Sequence, residues 1–207
     1  MEIIGTVAFA VSGALKGIKN NMDLFGVSIL GLITGVGGGV IRDTILGNTP
    51  ATAFKTPLFT IIALCSSIIT FVVIRLIWKY IHDKKRIYDR FIMFFADTFG
   101  LAVFTTTGVR IAEENGHLGF VAIVFIAVIT GVGGGVLRDV LCADVPYVFK
   151  KHIYAVASAA GATVNLLCSH FLPQEPSIIL GGMTVVILRI LAACFRWNLP
   201  KINPEKV

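Results

Sequence analysis

Thr34-Gly35-Val36-Gly37-Gly38-Gly39-Val40-Ile41-Arg42-Asp43 recurs as Thr130-Gly131-Val132-Gly133-Gly134-Gly135-Val136-Leu137-Arg138-Asp139, with nine of ten positions identical at an offset of 96. Each copy lies toward the end of an apolar run, residues 24–47 and 118–142. A helix needs about 20 apolar residues to cross a bilayer, so each run is long enough. The duplication continues more loosely. Pro50 aligns with Pro146, Phe54-Lys55 with Phe149-Lys150 after one gap, and Gly17-Ile18-Lys19 resembles Gly108-Val109-Arg110.

Outward from the repeat, further apolar runs cover residues 3–16, 57–80, 91–112, 153–172 and 178–195. None shows the strict alternation of a membrane barrel, so helices are expected. The fold class that follows is an all-α integral membrane protein of seven spans. Residues 1–88 form one three-span repeat, 89–173 a second, and 174–207 a seventh span and tail. Three is odd, so the second repeat starts from the opposite side of the membrane, giving an inverted repeat about an axis in the membrane plane.

The composition excludes the other classes. Of 207 residues, 56% are apolar and 14% charged, and the mean hydropathy is +0.84. Soluble domains carry roughly 25% charged residues. A disordered chain has fewer large apolar residues, and a secreted disulfide scaffold more cysteine. Met1-Glu2-Ile3-Ile4 has no basic region of the kind that opens a signal peptide, so it reads as the first span.

The net charge of +6 is better explained by topology than by a nucleic-acid partner. With an outside N-terminus, the inner loops follow spans one, three, five and seven. They hold or adjoin Lys16, Lys19, Lys79, Lys84, Lys85, Arg86, Arg90, Lys150, Lys151, Arg196, Lys201 and Lys206, which is 12 of the 18 basic residues. The expected topology is N-terminus outside and C-terminus cytoplasmic.

Three consecutive glycines weaken a helix by about 0.8–1 kcal/mol each relative to alanine, and kinks occur at such sites. Gly37, Gly38, Gly39, Gly133, Gly134 and Gly135 are therefore candidates for two kinks lining a hydrated path, with Thr34 and Thr130 offering hydroxyls. The alternative is close helix packing, since Gly31, Gly35 and Gly39 share one small face, as do Ala127, Gly131 and Gly135. Arg42, Asp43, Arg138 and Asp139 follow the glycines at membrane depth, where charges face a bundle interior or water. The two pairs are expected at opposite ends of one path, or else as caps of helix ends. Asp97 is expected to pair with Arg138. Arg189 lies deep and is expected to be paired, while Arg75 snorkels to the surface. Thr105, Thr106 and Thr107 either face the path or bond back to their own helix.

Gly35-Val36-Gly37-Gly38-Gly39 is not a nucleotide loop, because it lacks the final glycine, the lysine and the βαβ setting. Cys65, Cys142, Cys168 and Cys194 read as small core residues. His82, His117, His152 and His170 lack ligand spacing. With no nucleophile–base pair and no metal cluster, the chain is not read as an enzyme, and no cofactor is expected.

The doubled motif, set in two three-span repeats with a seventh span, resembles the bacterial branch of the trimeric intracellular cation (TRIC) channel family, also known as bacterial putative glycine transporters. The resemblance implies a homotrimer in the bacterial inner membrane with one pore per subunit. That pore is lined by the kinked second and fifth spans at Gly37–Gly39 and Gly133–Gly135. It implies permeation of monovalent cations, chiefly potassium, through the lipid bilayer. The lysine motif linked to phosphoinositides in animal members is absent. A carrier for glycine, with an arginine holding the carboxylate and an aspartate the ammonium, is the alternative.

Overall fold

A computed structural model describes residues 2–78, 85–116, 118–150 and 153–197. Lys79, His82, Lys84, His117, Lys151, His152, Lys201 and Lys206, named above, lie outside them. The described residues form nine helices: α1 (Glu2–Lys19), α2 (Leu24–Ile45), α3 (Thr52–Lys55), α4 (Pro57–Trp78), α5 (Lys85–Glu114), α6 (Phe120–Leu141), α7 (Tyr147–Lys150), α8 (Ile153–Ser169) and α9 (Gln174–Cys194). The order long, long, short, long occurs twice, and α9 follows. Five helices are long and apolar enough to cross a membrane: α2, α4, α5 from Phe91, α6 and α9.

Local chemistry sets the ends. Asp23 caps α2 by accepting from the Gly26 N–H at 2.7 Å. Pro57 opens α4, at the position where a missing N–H costs nothing. Helix α9 begins four residues before the apolar run expected from the sequence, and Pro176 is accommodated in its first turn, where N–H groups lack helical partners anyway. The short helices α3 and α7 were not expected. Each is a single turn following a proline-containing loop.

The centre of the molecule is the crossing of α2 and α6. A β-carbon on Gly38 would stand 2.2 Å from the Thr130 carbonyl oxygen, and one on Gly134 would stand 2.2 Å from the Thr34 carbonyl oxygen. Flanking it, Gly37 faces Leu137 and Gly133 faces Ile41. Residue and partner exchange places across the two copies, which is the signature of a two-fold axis. Helix α1 meets α5 in the same reciprocal way. Gly5 faces Phe104, Gly100 faces Phe9, and the two phenylalanines stack at 5.3 Å. Gly13 packs on Thr34 as Gly108 packs on Thr130. The true partner of Gly108 is thus Gly13, one turn before the Gly17 matched by sequence. Small residues spaced by four make the two registers look alike.

Helices α2 and α6 run unbroken through both glycine triplets. The helices are not unwound there, and Gly37, Gly38, Gly133 and Gly134 serve close packing. Thr34 and Thr130 are wholly buried and donate to the carbonyls four residues back, Leu30 and Ile126, both at 2.6 Å. Outside this core, α4 and α9 expose Ile61, Ile69, Leu76, Ile179 and Met183. Exposed apolar surface on this scale needs lipid or another subunit to cover it. Arg75 is exposed on α4, and so are Cys65 on α4 and Cys194 on α9, which face outward and are not core residues.

Alanine at Gly38 or Gly134 is expected to destabilise the protein by about 1–3 kcal/mol through overpacking. Alanine at Gly39, where the nearest atom is 3.7 Å away, is expected to be neutral or to stabilise by up to about 1 kcal/mol, the ordinary glycine-to-alanine gain in a helix. Thermal unfolding in detergent checks the contrast.

Candidate functional site

The third glycine of each triplet turns toward charge. Gly39 faces the Arg42 guanidinium, and Gly135 faces Tyr154, Arg138 and Asp97. Successive helix positions differ by about 100°, so three adjacent glycines present three faces: to the partner's side chain, to its backbone and to an ionic network.

The two networks have one plan. Arg42 Nε donates to Asp43 Oδ1 at 2.8 Å, and Arg138 Nε donates to Asp139 Oδ1 at 2.9 Å. The second oxygen of each aspartate accepts the N–H that opens a short helix, Thr52 for Asp43 and Tyr147 for Asp139, both at 2.8 Å. Each aspartate therefore ties the end of its long helix to the short helix after it. Each arginine then reaches an acid on another helix. Arg138 Nη1 meets Asp97 Oδ1 at 2.8 Å, as expected from sequence, and Arg42 Nη1 meets Glu2 Oε1 at 3.3 Å.

Glu2 was missed by sequence reasoning. Its signal is the offset that pairs Gly5 with Gly100 and Phe9 with Phe104. The same step of 95 pairs Glu2 with Asp97.

The networks differ in what surrounds them. Arg138 also donates to Ser12 Oγ at 2.6 Å, and Asp97 Oδ2 accepts from Arg189 Nη2 at 3.2 Å. The Arg189 guanidinium lies over three rings, Phe94 at 4.9 Å, Tyr147 at 5.2 Å and Tyr154 at 4.5 Å. Formally, two arginines balance two carboxylates here, whereas Arg42 faces both Glu2 and Asp43. Arg42 and Arg138 are each only 2% exposed.

Each network adjoins a cavity. A cleft of about 30 Å³, bounded by Glu2, Gly35, Gly39, Arg42, Asp43 and Phe104, lies at the first. At roughly 10–15 Å³ per water centre, it is sized for two or three waters. A cavity of about 340 Å³, bounded by Phe94, Tyr147, Tyr154, Arg189, Arg196 and Trp197, lies at the second. Packed side chains separate them. Phe104 of the cleft stacks on Phe9, which is 1% exposed and packs against Gly134.

The structure thus gathers Arg42 with Asp43, and Asp97 with Arg138 and Asp139, while Thr34 and Thr130 stay sealed in the crossing. Among the other threonines, Thr105 bonds to Ser158 at 2.7 Å, and Thr106 bonds back to its own helix. Farther out, Lys16 at the end of α1 pairs with Asp144 in the loop after α6. The lysine holds the Asp144 carboxyl below its usual range, mainly through the hydrogen bond.

The match to a family model described as "Glycine transporter" covers residues 1–75 and 94–170, so the chain belongs to that family. Its relatives include the inner membrane protein YadS of Escherichia coli, 36% identical over 96% of this chain and 92% of YadS. The membrane protein YvgT of Bacillus subtilis is 34% identical over 97% of this chain and 94% of YvgT. Among solved structures, a chain from work on conductance through TRIC cation channels superposes with a TM-score of 0.83, at 35% identity over 98% of this chain and 95% of that one. The TRIC orthologue from Rhodobacter sphaeroides superposes with a TM-score of 0.83 at 29% identity, covering 95% and 96% of the two chains.

Buried charges left without a partner cost about 3–5 kcal/mol. Asp97→Asn is therefore expected to lower stability by that order. Glu2→Gln is expected to cost less, because the Glu2 side chain is 29% exposed. Equal melting of Asp97→Asn and the parent in detergent would remove the network from the account of stability.

Proposed function

We propose that the chain is the subunit of a cation channel whose path runs along the α2–α6 crossing, between the two cavities, and is closed in this structure. The observation that carries this reading is the likeness, over nearly the whole chain at 35% identity, to a protein solved as a TRIC cation channel. Potassium is the proposed principal ion, carried through one path per subunit of a homotrimer. In this reading α1 and α8 also span the bilayer, making seven spans. The N-terminus lies outside and the C-terminus in the cytoplasm, which places the Glu2–Arg42 network at the outer end and the Asp97–Arg138 network at the inner end.

The duplicated networks support the reading in physical terms. At one end of the crossing the Glu2 and Asp43 carboxylates line the cleft, and at the other Arg189 borders the cavity with its charge matched by Asp97 behind it. The Thr34 and Thr130 carbonyl oxygens face the opposite glycine across the crossing, and carbonyls supply the negative field that cation pathways use. Opening requires Phe9 and Phe104 to part.

The family model's description favours a second reading, a carrier that moves glycine by alternating access. Planar-bilayer recording separates the two. Discrete openings in symmetrical potassium chloride, with reversal potentials that follow the cation gradient, are the expected result. Saturable glycine uptake into liposomes without openings would favour the carrier.

A further inference from the structure

Among the described residues, the Asp97–Arg138 network includes a second arginine, Arg189, and the Glu2–Arg42 network does not. Helix α9 stands outside the duplicated halves, so Arg189 has no counterpart in the Glu2–Arg42 network. The two oxygens of Asp97 divide their work: Oδ1 takes Arg138, and Oδ2 takes Arg189. At the other end, Glu2 has Arg42 as its arginine and faces the small cleft directly.

The surroundings of the Arg189 guanidinium have the makeup of a cation site. One carboxylate oxygen lies at 3.2 Å, and three ring faces lie within 5.2 Å. Electron-rich ring faces attract cations, more strongly when water is excluded. Arg189 is 4% exposed, and its Nε has no hydrogen-bond partner. The guanidinium is thus held by Asp97 and the rings without its full set of bonds. It also borders the 340 Å³ cavity, so a route leads away from the site.

We propose that Arg189 is a tethered cation seated in a cation-binding site made by Asp97 Oδ2 and the ring faces of Phe94, Tyr147 and Tyr154, a site that a free monovalent cation occupies when α9 withdraws the arginine. Arg189 then keeps the Asp97 end of the path closed, which rests on the channel reading above. The existence of the site does not.

Methylguanidinium is the probe, since it reproduces the head of the arginine without the tether. In detergent, it is expected to raise the melting temperature of Arg189→Ala by about 2–4 °C, the response of a protein of this size to a modest ligand. It is expected to leave the parent unchanged and to have no effect on the double variant Arg189→Ala with Asp97→Asn. No shift in Arg189→Ala, or equal shifts in all three, overturns the site. If Arg189→Ala does not fold alone, recovery of folded protein with methylguanidinium present supports the site, and failure of both Arg189→Ala and Arg189→Ser to recover overturns it. In bilayers, Arg189→Ala is expected to raise the open probability for potassium about tenfold, within the ordinary range of couplings, and methylguanidinium to reverse the rise. Binding without currents in any variant overturns the channel reading alone. Currents indifferent to Arg189→Ala overturn the closing role.

Discussion

Gly38 and Gly134 leave no space for a β-carbon where α2 and α6 cross, and that contact positions everything else. Two backbones can approach this closely only if neither carries a side chain at the crossing. Because the contact is reciprocal, it holds the two halves about a two-fold axis. Phe9 and Phe104 stack across the same axis, and the Arg–Asp pairs are carried to either side of it. A methyl group at either glycine would push the halves apart and disturb both networks together.

Charge is the second constraint. Four arginine and aspartate side chains sit in apolar helices where water is scarce, and each is held by more than one partner. The aspartates join their arginine to the N–H that opens the next short helix, so the ion pair also fixes a turn of backbone. This explains why α3 and α7 exist: their first N–H groups complete the aspartates. The networks are structural by this bonding, and each borders a cavity.

The halves are alike in plan but not in charge. One network is balanced and closed over by α9, while the other carries an excess carboxylate beside a small cleft. A duplicated fold acquires direction in this way. The added helix brings its arginine to one end only, because it follows the second repeat in the chain.

Much of this was legible in the residues. The ten-residue repeat, the apolar runs and the pairing of Asp97 with Arg138 follow from spacing and from the cost of an unpaired charge in an apolar setting. Glu2 escaped notice because the first residues of a span look like an interfacial end, and the matching of Gly17 with Gly108 hid the offset that equates Glu2 with Asp97. The role of the glycines was open for a related reason. Sequence shows that side chains are missing, not what fills the space they leave. Taken alone, the sequence determined the membrane class, the duplication and the residues that must be buried together, because hydropathy and repetition are properties of the chain. Only the tertiary structure decided that the glycines meet each other across an axis, that Glu2 completes the first network, and that Arg189 joins the second through Asp97. Those depend on which helix faces are brought into contact, and the periodicity of a single helix does not contain that choice.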